Sequence, residues 1–209
     1  MKLVLVRHGE TQWNNIGKIQ GHIDIPLNEN GRQVANLTKE AYNKEKITYD
    51  VVYASPLSRA QETARILVGE NTPIITDKRL MEISFGKYDG SIYSEIMEGK
   101  EEYLSFRNCF VNPEKYVADS SAETFEAFIA RTGSFLADLK QTYTNDEKIL
   151  AVCHGGTIRS ILQNVEPRPL KDFWNNKIRN LCHVTIEWDE NTPFHVIEFG
   201  KYYYDIERG

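Results

Sequence analysis

Four short apolar runs punctuate the chain, at residues 3–6, 50–54, 73–76 and 149–153. The first and last are apolar throughout, as in strands buried on both faces of a sheet. Between the runs the apolar positions change to a helical period. Residues 28–45 form one such stretch, with Asn28 placed to cap it and Val34, Leu37, Ala41 and Tyr42 on one face. A second helix is expected after the 50–54 strand, with Ser55 as its cap, Pro56 in its first turn, and Ala60, Ala64 and Leu67 on its apolar face. Ser120, Ser121, Ala122 and Glu123 have the pattern of a capping box opening a helix to about residue 140. Its stripe of Phe125, Phe128, Ile129, Phe135, Leu136 and Leu139 reads as core. After the 149–153 run come Gly155, Gly156 and a helix to about Leu162. Residues 184–188 and 195–199 alternate in polarity and predict a final antiparallel pair, joined by a turn at 189–193.

Strands alternating with helices predict an α/β fold, a three-layer sandwich with a mostly parallel central sheet flanked by helices. There is no internal repeat, low-complexity tract or linker, so residues 1–209 read as a single domain. Residues 91–120 are the irregular part. Two short helical patterns followed by Asn112 and Pro113 read as an insertion over one end of the sheet.

Composition narrows the function classes. The chain of 209 residues carries 25 basic and 30 acidic residues, a net charge of −5. That balance argues against nucleic acid or an anionic membrane as a broad-face partner, while leaving room for a local cationic pocket. No apolar run reaches the roughly 18–20 residues of a membrane span, and only four apolar residues in a row precede Arg7. The expected location is cytoplasmic. The three cysteines, Cys109, Cys153 and Cys182, form no C-x-x-C pair, so neither a disulfide framework nor a zinc knuckle is expected. Cys153, inside an apolar run, reads as a buried core residue. An exposed edge strand near 195–199 or the tail Tyr202, Tyr203 and Tyr204 could pair two copies into a homodimer; the tail could equally fold back over a pocket.

Four segments carry chemistry. Arg7, His8, Gly9, Glu10 and Thr11 follow the first strand; Ser55 to Ala60, with Arg59, follow the second; His154, Gly155, Gly156 and Thr157 follow the fourth. Glu82 lies in a loop segment ending at Phe85 and Gly86. Ligands bind open α/β sheets at the carboxyl ends of the strands, so these segments could meet in one crevice. Two arginines offer planar forks that match phosphate oxygens. Glycines after both histidines let backbone N–H groups approach an anion, and the helix starts add their dipoles. A neutral imidazole there is a competent nucleophile toward phosphorus, and the surrounding positive charge would keep it neutral near pH 7. The leaving alkoxide then needs a proton donor. Glu10, Asp24, Glu82 and Asp89 all lie in glycine-rich loops, and residue type alone does not choose among them.

Each feature also has a plain reading. His22, His183 and His195 read as surface or hydrogen-bonded histidines, Arg59 alone would pass for an exposed helical residue, and Gly155 with Gly156 for a tight turn. No H-E-x-x-H, EF-hand loop or i, i+4 histidine pair is present, and the arginines would repel a divalent cation, so no metal is expected. A P-loop is also missing.

Taken together the blocks resemble the signature of the histidine phosphatase superfamily, in the branch containing the cofactor-dependent phosphoglycerate mutases. The resemblance runs from Arg7 to Thr11 with Trp13 and Asn14, through Gln20 to Gly31, Ser55 to Ala64, Leu80 to Gly90, and His154 to Arg159. It implies a phosphoglycerate mutase-like fold and a reaction that needs neither metal nor other cofactor. It implies His8 as the nucleophile that becomes phosphohistidine, with Arg7, Arg59 and His154 completing the phosphate pocket and Glu82 as proton donor. Asn14, Gln20, Gly21 and Gly155 would line the substrate site, and the 91–120 insertion would cover it.

Members of this family either return the phosphoryl group to a sugar acid or give it to water. The mutases carry an adjacent arginine pair and extra basic residues after the proton donor. Here residues 91–123 hold seven acids against three bases, a net of −4, with no arginine pair, and carry Tyr93, Tyr103, Phe106, Phe110 and Tyr116 instead. The expectation is therefore a phosphatase acting on a small-molecule monophosphate with a neutral or partly apolar body. A cofactor-dependent mutase is the alternative within the family. A phospho-ligand binder without turnover is the alternative from another class, although it would have no need of both His8 and Glu82.

Overall fold

The computed structural model describes residues 1–143 and 146–204. Its elements run β1 (Lys2–Arg7), α1 (Gln12–Asn15), α2 (Glu29–Glu45), β2 (Val51–Ala54), α3 (Ser58–Val68), β3 (Ile75–Thr76), α4 (Tyr93–Glu98), α5 (Asn108–Val111), α6 (Phe125–Thr142), β4 (Lys148–Cys153), α7 (Gly155–Val165), β5 (His183–Glu187) and β6 (His195–Lys201). The described strands form one six-stranded sheet in the order β3-β2-β4-β1-β5-β6. The first four are parallel; β5 runs antiparallel to β1, and β6 runs antiparallel to β5.

Strand alternation builds the layers. Leu3, Leu5, Ile149, Ala151 and Cys153 point to one face, where Phe135, Leu136 and Leu139 of α6 and Ile158 and Ile161 of α7 cover them. Val6, Leu150 and Val152 point to the other, under Val34 and Ala35 of α2 and Ala60 and Ala64 of α3. Both central strands, β1 and β4, are thus covered on both faces, which is why they read as unbroken apolar runs. Cys153 is fully buried, as expected.

A third apolar cluster lies beside the sheet rather than on it. Ile96, Phe106 and Cys109 of the 91–120 segment join Ile83, Phe85, Phe125, Phe128 and Phe173. Phe106 stacks on Tyr88 with ring centroids 4.1 Å apart. The irregular segment therefore has a core of its own, and the Trp174 indole N–H, donating to the Cys109 carbonyl at 2.6 Å, ties it to the chain beyond α7.

Several local expectations are corrected. Ser55 does not cap α3: the helix begins at Ser58, and Asp24 caps it from a distant loop by accepting from both the backbone N–H and the hydroxyl of Ser58. The Ser55 hydroxyl is instead engaged by His154 at 2.8 Å. Helix α6 begins at Phe125 with Thr124 as its cap, not at the Ser120–Glu123 box, because Ser121 bonds Asp119 and Glu123 pairs with Arg131. Leu37 is exposed; Thr38 takes its place on the buried face of α2 by donating its hydroxyl to the Val34 carbonyl. Helix α7 runs to Val165, one turn beyond Leu162. The tail bends back onto the chain, where Tyr202 accepts from the Arg179 N–H and Tyr204 donates to the Asn180 carbonyl.

Candidate active site

Strands β1 and β4 are adjacent and parallel, with Arg7 paired to Cys153, so the residues that follow them emerge side by side. His8 and His154 meet there, ring centroids 5.1 Å apart. The His8 amide donates to the Cys153 carbonyl at 2.9 Å and anchors the loop to the sheet. Gly9 passes close to α2: a Cβ on it would lie 2.9 Å from the Gly31 carbonyl oxygen. That close approach explains the glycine after His8.

The environment fixes both tautomers. His8 Nδ1 lies 2.7 Å from the Gly9 carbonyl oxygen. A carbonyl only accepts, so Nδ1 carries the proton and Nε2 keeps its lone pair. Burial, then Arg59 and Arg7, hold the His8 pKa well below the ordinary histidine value. His154 has the opposite arrangement. Its Nδ1 accepts from Arg59 Nε at 3.3 Å, so Nε2 donates to Ser55 Oγ at 2.8 Å. Burial, Arg59 and His8 keep it neutral too. Ser55, expected as a helix cap, instead holds this imidazole.

Arg59 is fully buried, and its other nitrogens donate to the carbonyls of Ile23 and Gly21 at 2.9 Å each. Burial lowers its pKa to about 10, against an opposing pull from Glu82. Arg7 donates to the Ile178 carbonyl at 2.8 Å while its Nε, buried, has no partner among the described residues.

Geometry separates the four candidate acids. Glu10 accepts from the Asn28 side chain, Asp24 caps α3, and Asp89 accepts from the amides of His22 and Phe85. Only Glu82 is among the residues lining the cavity. Its carboxylate accepts from the amides of Gly156 and Thr157 at the start of α7, at 3.0 and 3.1 Å. Those are donors that a helix N-terminus leaves free, at its positive end. Arg131, which the sequence did not single out, and His22, read there as a surface or hydrogen-bonded histidine, secure the Glu82 loop. Arg131 donates to the carbonyls of Arg79, Met81 and Glu82, and His22 donates through Nε2 to the Glu82 carbonyl at 2.8 Å.

The cavity, about 320 Å³, is lined by Arg7, His8, Asn14, Gln20, Gly21, Arg59, Glu82, Gly155 and Gly156, all within the expected blocks. His154 is not on its wall; it lies directly behind His8. Lys18, Ile19, Phe85, Tyr93, Phe110, Arg159, Trp174 and Ile178 complete the lining. Trp174 and Ile178 carried no signal in the sequence because they come from an irregular stretch without motif or period. Asn180 was missed for the same reason: its side chain donates to the His8 carbonyl at 2.8 Å and braces the loop from beneath.

The glycine at 156 gives a sharp expectation. A Cβ there would lie 2.4 Å from Glu82 Oε1. Gly156→Ala should leave the fold intact and displace the carboxylate, lowering kcat by about 100-fold, the lower end of what a displaced proton donor costs. Steady-state kinetics with a matched melting curve check this; an unchanged kcat would mean that the carboxylate position is immaterial.

A sequence model of the histidine phosphatase superfamily (branch 1) matches residues 3–198. The chain is 32% identical over 194 residues to a putative phosphoserine phosphatase 2 of Hydrogenobacter thermophilus, covering 91% of this chain and 92% of that one. It is 37% identical over 183 residues to phosphoglycerate mutase-like protein 4 of Arabidopsis thaliana, covering 81% and 73%. The crystal structure of a phosphoserine phosphatase from Entamoeba histolytica, in complex with 3-phosphoglyceric acid, superposes with a TM-score of 0.82 at 27% identity, covering 96% of each chain.

Proposed function

This chain belongs to the histidine phosphatase superfamily and is a phosphomonoesterase; we propose that it works through a phosphohistidine on His8, with Glu82 as the proton donor. The observation that carries this reading is the His8 tautomer: Nδ1 is committed to the Gly9 carbonyl, which leaves Nε2 as a neutral nucleophile beside two guanidiniums.

In the first step Arg7 and Arg59 bind the phosphoryl oxygens. His8 Nε2 forms a bond to phosphorus as the ester P–O bond breaks, and Glu82 gives its proton to the departing oxygen. In the second, Glu82 takes a proton from water as the water oxygen bonds phosphorus and the N–P bond breaks. Phosphate and neutral His8 are regenerated. His154 holds Arg59 and packs behind the nucleophile, so its part is to position both. Positioning and fixed charge supply most of the rate enhancement in such transfers. Asn14, Gln20, Gly21 and Gly155 shape the substrate side.

Purified protein should release phosphate from p-nitrophenyl phosphate at a rate that EDTA does not change. Given 2,3-bisphosphoglycerate and 3-phosphoglycerate, it should release phosphate faster than it forms 2-phosphoglycerate. The reason is the net −4 of the 91–123 cover, which is poorly suited to holding a bisphosphorylated species. Faster interconversion than release would establish a mutase. A null result across a panel of phosphomonoesters would establish a binding protein.

A further inference from the structure

We propose that the substrate carries a carboxylate beside its phosphoryl group, and that Arg159, assisted by Lys18, receives it. This rests on the phosphatase reading above.

Arg159, like Lys18, is a cation of the cavity wall that the mechanism does not use. Its NH1 donates to the Gly155 carbonyl at 2.8 Å and its NH2 to the Asn176 carbonyl. A guanidinium has five N–H donors. Two are used, and Nε is sealed from solvent without a partner among the described residues. Arg159 forms no ion pair among those residues. Burial and then Arg7 lower its pKa to about 10, and Glu82 is the one carboxylate that opposes them. A charge withdrawn from water without a partner is costly, so such a group calls for an anion.

The surroundings indicate which anion. A Cβ at position 155 would lie 3.2 Å from Arg159 NH1 and 3.6 Å from Arg7 Nε. The glycine therefore keeps the approach between the two guanidiniums open, next to the phosphoryl site. Arg7, Arg59, Arg159 and Lys18 line the cavity against Glu82 alone, and both histidines are neutral. Asp24 and Asp89 lie behind Arg59 and act on it rather than on Arg159. The four cations exceed what one phosphoryl dianion neutralises, and the surplus lies at Arg159 and Lys18, outside the phosphoryl contacts of Arg7 and Arg59. A carboxylate on the substrate would meet it and match the planar fork of Arg159.

The remaining wall limits the body between the two anions. Trp174 lies under Arg159, its ring centroid 5.4 Å from the guanidinium carbon, and Phe85, Tyr93 and Phe110 close the apolar side. Lys18 lies 5.2 Å over the Trp13 ring. The fit is to a short phosphorylated acid.

O-phosphoserine and O-phosphoethanolamine differ only by the carboxylate, so their kcat/KM ratio reads the subsite. The native protein should favour phosphoserine by roughly 100-fold, the scale of a charge-assisted pairing. Arg159→Met should shrink that ratio below about 10, Arg159→Lys should leave it intermediate, and Lys18→Met should lower it several-fold. Equal rates on both compounds in the native protein would overturn the proposal. So would Arg159→Met slowing both alike, which marks a structural or phosphoryl contact. If Arg159→Met fails to fold, the native ratio with Arg159→Lys and Lys18→Met decides the question. If the native protein hydrolyses neither compound nor p-nitrophenyl phosphate, the phosphatase reading itself has failed and this proposal with it.

Discussion

His8→Ala is expected to abolish turnover, a loss of about 10⁴-fold or more in kcat on every phosphomonoester. The magnitude follows from the pathway. Without the imidazole there is no covalent intermediate, and water must attack the ester directly in a site built to present Nε2. The remaining cations still bind the phosphoryl group, because Arg59 is held by the Ile23 and Gly21 carbonyls and Arg7 by Ile178. Substrate affinity should therefore survive in the variant while chemistry does not. Kinetics with matched thermal melting and equilibrium binding separate the two effects. Turnover well above background in a clean His8→Ala preparation would contradict the nucleophile assignment.

Glu82→Gln should divide substrates by leaving group. An alkyl phosphate needs a proton on its departing oxygen, so its kcat should fall by about 10²–10⁴-fold. A p-nitrophenolate leaves without one, so breaking that ester should be slowed far less, and a burst of p-nitrophenol should precede slow hydrolysis of the phosphoenzyme. The amide can still accept the N–H of Gly156 or Thr157 through its oxygen, so the helix start stays partly satisfied. Pre-steady-state release of p-nitrophenol measures this directly. Equal losses on both classes of substrate would mean that Glu82 shapes the site without giving a proton.

Much of this site was legible in the sequence because its parts sit at punctuation marks. His8 and His154 each end an apolar strand and precede a glycine, and adjacent parallel strands bring such positions together. The three layers were legible for the same reason, since β1 and β4 are apolar on both faces. What was not legible depends on contacts between distant loops. The four candidate acids look alike along the chain; the structure separates them because Glu82 lines the cavity, while Glu10, Asp24 and Asp89 serve Asn28, Ser58 and the amides of His22 and Phe85 away from it. Ser55 had the local signature of a cap, and tertiary structure gave that task to Asp24 and gave Ser55 to His154. Arg131 and Asn180 act through backbone carbonyls far away in sequence, and such contacts leave no pattern of residue types. Trp174 and Ile178 reach the cavity from an irregular stretch, where no motif announces a substrate's body.

The account depends on phosphorus passing through nitrogen. The most direct measurement is a single-turnover experiment with ³²P-labelled phosphomonoester, quenched in base and mapped by peptide. The prediction is label on the peptide containing His8, stable to alkali, lost in acid and absent from His8→Ala. Labelled phosphate appearing at the rate of substrate loss, with no label on the protein at any quench time and the ester oxygen lost with inversion at phosphorus, would contradict it.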